Sequence, residues 1–492
     1  MIPNPYYSQE AHGPYEMFDV GNLELEEGGT IRNCQLAYAT FGTLNAAKDN
    51  AILIPTWYSG TNKLLEQVYL GQGRALDPAK YFIVIINQIG NGLSSSPHNT
   101  PAPAGMANFP KVRIGDDVHA QHKLITEKFG INQLALVVGG SMGAQQTYEW
   151  AVRYPDMVKR AAPIAGTAKN TVHDFLFTET LVDAITSDPG FNKGFYSSPA
   201  DVREGLLRHA KMWAVMGWST EFFQQNRHKL LGFTSLDDFI VNFMYGYFAQ
   251  MDPNALLCMA WKWQRGDVSR HTGGDLRAAL QRIKAKTFVM PMSSDMFFPP
   301  ADCQAEWRLI PNAEFRPIQT VDGHLALFGA DPNALAQLDR NLGELLQELR
   351  VALPGVQVLF AFLLAVPFQK RFSEVSPFGE KIYFATLMLT ALSAALLIAP
   401  SAYHRLTFRY QQKHRLVFIS NRLAIAGLAS LALAMTCAIM LVTDFLFGTG
   451  ATIVTTVVAL AIFILLWAAL PLKRRLKYRR EGLPLLDPPK EG

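Results

Sequence analysis

Gly139-Gly140-Ser141-Met142-Gly143 follows the apolar run LALVV (residues 134–138) and precedes AQQTYEWAVRYP, which has helical periodicity. Gly-x-Ser-x-Gly between a buried strand and a helix makes a tight turn that exposes the serine hydroxyl, and its glycines let helix and strand pack closely. Ser141 is therefore the candidate nucleophile, and the chemistry is acyl transfer through a covalent acyl-enzyme. A serine hydroxyl needs a base, and the base needs an acid to orient it. With a turn of this kind the partners follow in the order serine, acid, histidine. Asp295 stands just past the strand-like KTFVM (286–290), and His324 closes Val321-Asp322-Gly323-His324 after the strand-like stretch 314–318. Asp322 competes as the acid, but it shares the loop of His324 and lies too near it in sequence, so Asp295 is preferred. His98, His119 and His122 precede the nucleophile and read as surface or helix residues. A developing oxyanion needs two fixed N–H donors. The amide of Met142 supplies one, and the loop 56–60 (TWYSG) after the early strand supplies the other, at Tyr58.

These side chains must be held on loops along one edge of a sheet. The runs AILIP (51–55), YFIVII (81–86), LALVV (134–138) and TFVM (287–290) read as buried, mostly parallel strands, with helical periodicity over 118–129 and 145–153. Alternation of this kind predicts an α/β sandwich with helices on both faces. Between about 167 and 270 the alternation gives way to Phe, Trp and Met at helical spacings, among them Phe177, Trp213, Trp218, Phe243 and Trp263. That stretch reads as a helical insertion over the sheet, either a packed subdomain or a lid lining an acyl pocket.

The composition changes near Val351. Apolar runs follow at 351–368, 382–400, about 423–446 and 451–472, separated by basic stretches. A bilayer core needs about 20 apolar residues per helix. The last three runs reach that and the first is marginal, so a transmembrane domain of about four helices is expected over 346–480, with a polar tail at 481–492. Asp444 is the one acid near such a run, expected at a helix end. With four spans, the basic residues from Arg340 and Arg350 through Arg405, Arg409, Lys413, Arg415 and Arg422 to Lys473–Arg480 share one side. Lys370, Arg371 and Lys381 lie on the other. The positive-inside rule then puts the first domain (1–345) and both termini in the cytoplasm. The mean hydropathy of +0.08 describes neither part. A formal charge of +4, concentrated around the apolar runs, argues against nucleic acid. Four scattered cysteines (Cys34, Cys258, Cys303, Cys437) fit neither a disulfide framework nor a zinc site, and no secretory signal is read at the N-terminus.

The first domain resembles the homoserine O-acetyltransferase branch of the α/β hydrolases. The similar stretches are 54–60, Asn87-Gln88-Ile89-Gly90-Asn91-Gly92, GDDVHAQHK (115–123), VGGSMGAQQTYEWAVRYPDMV (138–158), SSDMFFPP (293–300) and GHLALFG (323–329). The resemblance implies an α/β-hydrolase fold with a helical lid and a ping-pong reaction. In it Ser141 takes an acyl group from an acyl-CoA or an ester and an alcohol or water accepts it, with no resident cofactor or metal. Two positions depart from the branch. The acidic residue after the catalytic histidine, which binds the amino group of homoserine, is Leu325 here. The lid arginine for the substrate carboxylate is missing, and the stretch 211–220 offers only Lys211. A buried ammonium or carboxylate without its partner is costly, so a more apolar alcohol, ester or thioester is expected. The C-terminal part resembles an uncharacterised family of small bacterial membrane proteins of about four helices, beginning near Asp339. The expected partners are a small acyl donor, an alcohol or water acceptor and the lipid bilayer, with a homodimer left open. The alternatives are a transporter or scaffold whose hydrolase-like domain only binds, or two joined genes that share no task.

Overall fold

The computed structural model describes residues 2–329, 331–347, 360, 362–368, 372, 375–407 and 413–465. It divides into two compact units, Met1–Leu346 and Gln347–Gly492.

In the first unit, eight strands form one sheet: β1 (Glu16–Glu24), β2 (Thr30–Phe41), β3 (Ala51–Pro55), β4 (Phe82–Ile86), β5 (Leu136–Gly140), β6 (Arg160–Ile164), β7 (Lys286–Val289) and β8 (Ala313–Phe315). Their order is β1-β2-β4-β3-β5-β6-β7-β8. The hairpin β1–β2 and the pair β2–β4 are antiparallel, and every later pairing is parallel. Side chains along β3 and β5 alternate between two cores. Ile52, Ile54, Leu136 and Val138 face one, and Leu53 and Val137 face the other. This is the period of two expected of strands covered on both sides, and burying each such side chain stabilises the fold by about 1.5–3 kcal/mol.

Chain order reverses at β3, because β4 lies on one side of it and β5 on the other. The loops leaving the carboxyl ends of β3 and β5 therefore face one crevice, where ligands of open α/β sheets bind. Strands β1, β2 and β6 were not among the expected ones. β1 is an edge strand with most residues exposed, and β6 reads RAAPI, without the β-branched run that marks the others.

Helix α1 (Ile114–Lys123) continues as a π-helical turn over Leu124–Lys128, and α2 (Met142–Arg153) starts directly after Ser141. The insertion holds α3 (Val172–Thr186), α4 (Arg203–Gly217) and α5 (Pro253–Gln264) with short helical turns between. Thr171 caps α3 through the Asp174 amide, and Asp252 caps α5 ahead of Pro253. Helix α6 (Pro332–Gln347) closes the unit. Its Leu338 and Leu342 enter the second core, and its Asp339 carboxylate accepts from the Ala75 amide at 3.0 Å.

The second unit contains α7 (Pro377–Thr407), α8 (Lys413–Phe447) and α9 (Thr449–Ile464). Among the described residues one stretch, Ala429–Phe447, is long and apolar enough to cross a membrane, and Thr449–Phe463 is a shorter apolar helix. Asp444 lies in the last turn of α8. Most of the run 351–368, the end of the run 451–472, the basic stretch 473–480 and the tail 481–492 lie outside the described residues. Residues 360 and 362–365 are also helical, and among the described residues the one candidate span falls short of establishing the four transmembrane helices expected from sequence.

Candidate active site

Ser141 is held at φ +56°, ψ −124°, which is unfavourable for an L-residue outside a special turn. The turn survives because its surroundings leave no other path. The Ser141 amide donates to the Ile164 carbonyl of β6 at 2.9 Å, and the Ser141 carbonyl accepts from Ala144 and Gln145. A Cβ on Gly139 would stand 2.3 Å from the Gly143 carbonyl oxygen, and one on Gly143 would stand 2.6 Å from that of Pro55. Only glycine fits at these two positions flanking Ser141.

His324 reaches this turn from the loop after β8. Its Nε2 lies 2.9 Å from Ser141 Oγ, and its Nδ1 lies 2.7 Å from Asp295 Oδ2. The pairing fixes the tautomer: Nδ1–H donates to the carboxylate, leaving Nε2 to accept the serine proton. The other carboxylate oxygen of Asp295 accepts from the amides of Phe297 and Phe298 at 2.8 and 3.1 Å. All three side chains are buried, and the Phe297 ring meets His324 edge-on at 4.8 Å. Three residues far apart in sequence thus form one hydrogen-bonded line.

Asp322 is engaged elsewhere. It accepts a bidentate pair from Arg227 of the insertion, at 2.6 and 3.2 Å. The remaining histidines also have other surroundings. His98 is buried and stacks on Tyr7, His119 is exposed on α1, and His122 stacks on Tyr154. Burial lowers the His98 pKa to about 4.

Met142 opens helix α2, so its amide belongs to the free N–H groups at a helix start. The loop after β3 runs alongside, for the Thr56 carbonyl accepts from Gln146 of α2 at 3.1 Å and from Gln88 at 2.6 Å. Two residues on, Tyr58 is 1 % exposed. Its hydroxyl donates to the Leu256 carbonyl of α5 at 3.0 Å and lies 3.4 Å from His209 Nε2. The insertion therefore anchors the loop on which the second oxyanion donor is expected.

Leu325, the residue after the histidine, is buried and packs against Gly217 of α4. It lines an apolar cavity of about 450 Å³ together with Ser59, Trp213, Trp218, Phe243 and Met244. Lys211 is exposed and borders a separate surface hollow. Sequence reading named the aromatic insertion but not Arg227, nor the fully buried pair of Lys262 on α5 with Asp117 on α1. Among the described residues no group of three His, Cys, Asp or Glu side chains could hold a metal ion.

A mostly parallel sheet reversing at β3, a serine on a strained strand-to-helix turn and a helical insertion define the α/β-hydrolase class. The α/β hydrolase fold family matches residues 52–330, and a family of unknown function (DUF6328) matches residues 332–471. An ethyl acetate hydrolase of Pseudomonas veronii is 64% identical over 343 residues, spanning 70% of this chain and 98% of that one. An acetylester hydrolase of Corynebacterium glutamicum of known structure is 60% identical with a TM-score of 0.70, spanning 70% of this chain and 100% of that one. A homoserine O-acetyltransferase of Trichormus variabilis is 32% identical over 327 residues, spanning 64% of this chain and 90% of that one. The chain belongs to the α/β-hydrolase family, and it is an enzyme of the esterase and acyltransferase kind.

Proposed function

We propose that the protein hydrolyses esters of acetate and similar short acids through Ser141, His324 and Asp295, and that its second unit anchors it to a membrane. The observation that carries the first part is the continuous line from Ser141 Oγ through both ring nitrogens of His324 to Asp295. As the hydroxyl attacks the ester carbonyl, His324 Nε2 takes its proton, and Asp295 stabilises the imidazolium that forms. The Met142 and Tyr58 amides receive the charge on the carbonyl oxygen. His324 then protonates the departing alkoxide, leaving acetyl-Ser141. Water attacks this in turn, giving its proton to the same nitrogen, and acetate leaves with Ser141 regenerated. An acyl-CoA thioester can load the same serine. Leu325 and the apolar wall around it support water over homoserine as the acceptor, because no charged side chain there meets an ammonium or a carboxylate.

The membrane part of the reading is supported by an inverted pattern in the second unit. Phe384, Met388, Leu392, Ile453 and Val457 are 48–63% exposed, whereas Thr386, Thr390 and Ser393 are buried. The Ser393 hydroxyl bonds the Gly427 carbonyl of the neighbouring helix at 2.8 Å. Small polar residues between helices and large apolar ones outside suit a lipid surround. The charge bias supports a cytoplasmic hydrolase unit.

The test is labelling of the full chain with a fluorophosphonate, together with acetate release from ethyl acetate. Labelling and release in the wild type, both lost in Ser141→Ala, are the expected result. Release that persists in Ser141→Ala overturns the mechanism. O-acetylhomoserine formed faster than acetate overturns the choice of acceptor.

A further inference from the structure

We infer that the apolar cavity beside the His324 loop binds the alcohol half of the ester, and that the preferred alcohols are unbranched alkyl chains well longer than ethyl. The inference rests on the hydrolase reading above and concerns which half of the substrate the site selects.

The first argument is direction. The departing alkoxide takes its proton from His324 Nε2, so the alcohol half of the bound ester must lie on the histidine's side of the scissile bond. The cavity wall includes the loop that carries His324, at Leu325. Leu325 follows His324 in the chain, and Trp213 stands 5.0 Å from Phe297, whose ring is 4.8 Å from His324. Ser59, next to Tyr58, forms the rim nearest the oxyanion loop.

The second argument is the chemistry of the walls. Leu64, Leu231, Phe233, Phe243 and Phe328 add to Leu325 and the two tryptophans, and no charged side chain lines the space. Two of the polar groups are paired, and the buried Trp213 indole N–H makes no hydrogen bond. The Ser59 hydroxyl pairs with the Tyr247 hydroxyl at 3.0 Å, and the Trp218 indole N–H points at the Met244 sulfur at 3.4 Å. Beyond that one donor a ligand gains little here by hydrogen bonding and gains steadily by burying methylenes.

The third argument is size. About 450 Å³ lies within the range of sites that bury whole drug-sized ligands, about 300–1,000 Å³. Two carbons leave most of it empty.

The experiment measures kcat/KM of the full chain in detergent, at measured free ester concentrations, on ethyl, butyl and hexyl acetate and on ethyl hexanoate. Hexyl acetate and ethyl hexanoate are isomers of equal carbon number, so their comparison cancels partitioning into micelles. The value should rise about three- to fourfold per methylene along the acetates. Hexyl acetate should exceed ethyl hexanoate by more than tenfold. Leu231→Trp, which fills the cavity, should lower the hexyl-to-ethyl acetate ratio by about tenfold. A flat acetate series, or an equal or reversed isomer ratio, overturns the inference while leaving hydrolysis of ethyl acetate intact. Failure to cleave any of the four esters overturns the hydrolase reading and this inference with it.

Discussion

At the scale of single residues, two aspartates that sequence leaves in competition separate by their partners. Asp295 holds the inner nitrogen of His324, and Asp322 holds Arg227. Asp295→Asn should preserve the geometry but favour the wrong tautomer, lowering kcat by about 10⁴-fold, as expected when the orienting acid of such a line is lost. Asp322→Asn should leave kcat within a few-fold and cost about 1.5–3 kcal/mol of stability, because it weakens a charge-assisted bidentate bond. Initial rates and urea midpoints on both variants distinguish the roles. A large fall in kcat with Asp322→Asn would return the acid assignment to Asp322. Ser141, Asp295 and His324 could be found in the sequence because the turn needs glycines around the serine and the partners follow strand-like runs in a set order. Arg227 could not, since it sits 95 residues from Asp322 with no local pattern linking them.

At the scale of elements, the strands that sequence reveals are those buried on both faces, where Ile and Val runs are obligatory. β6 escapes because its sequence, RAAPI, lacks such a run although four of its five residues are buried. The helical insertion is legible as a whole from its aromatic spacing, but its attachment to the sheet is not. Part of that attachment is the pair of Lys262 on α5 with Asp117 on α1, both fully buried. Lys262 also donates to the Ile89 carbonyl at 2.7 Å, and Asp117 accepts from the Ile89 amide at 2.8 Å. Lys262→Met leaves a buried carboxylate without its cation and should cost about 3–5 kcal/mol. Asp117→Asn combined with Lys262→Met removes both charges and keeps an acceptor for Ile89, so it should recover most of that loss. Chemical denaturation of the two variants checks the expectation, and a double variant no more stable than the single one would contradict it.

His98 shows the same dependence on burial through pH. Its pKa falls to about 4 in the folded state because burial disfavours the imidazolium, against about 6.5 when unfolded. Below pH 6.5 the unfolded chain therefore binds the proton first. The contribution of the neutral ring is fully present above that pH and is lost as pH falls toward 4, an effect on the order of 3 kcal/mol. Its Nδ1 makes no hydrogen bond in the structure, and its ring stacks on Tyr7. His98→Phe keeps the stacking and removes the titration, so its urea midpoint should fall less than that of the wild type between pH 7 and pH 4.5. Equal slopes for the two proteins would contradict the argument.

At the scale of the whole molecule, the two units differ in what they bury and what they expose. The first unit covers a two-sided sheet with helices and buries large apolar side chains in two cores. The second exposes large apolar side chains and buries threonines and serines. The change at Val351 was legible because a run of apolar residues needs no tertiary information to be noticed. The number of spans was not legible in the same way, because helix length and packing decide it. The P. veronii relative matches 70% of this chain yet 98% of its own length, so a chain ending near the close of α6 is a complete fold. Helix α6 supports the same boundary, since Leu338 and Leu342 sit in the second core and Asp339 ties to Ala75. A protein of residues 1–346 should accordingly stay in the supernatant after ultracentrifugation and unfold cooperatively. Its kcat on ethyl acetate should lie within about threefold of the detergent-solubilised full chain. The full chain should sediment with membranes and resist extraction by alkaline carbonate, which releases peripheral proteins and leaves inserted helices in place. A full chain freed by carbonate would remove the membrane anchor from the reading. A truncated protein that folds but has lost activity would instead make the second unit part of the catalytic machinery.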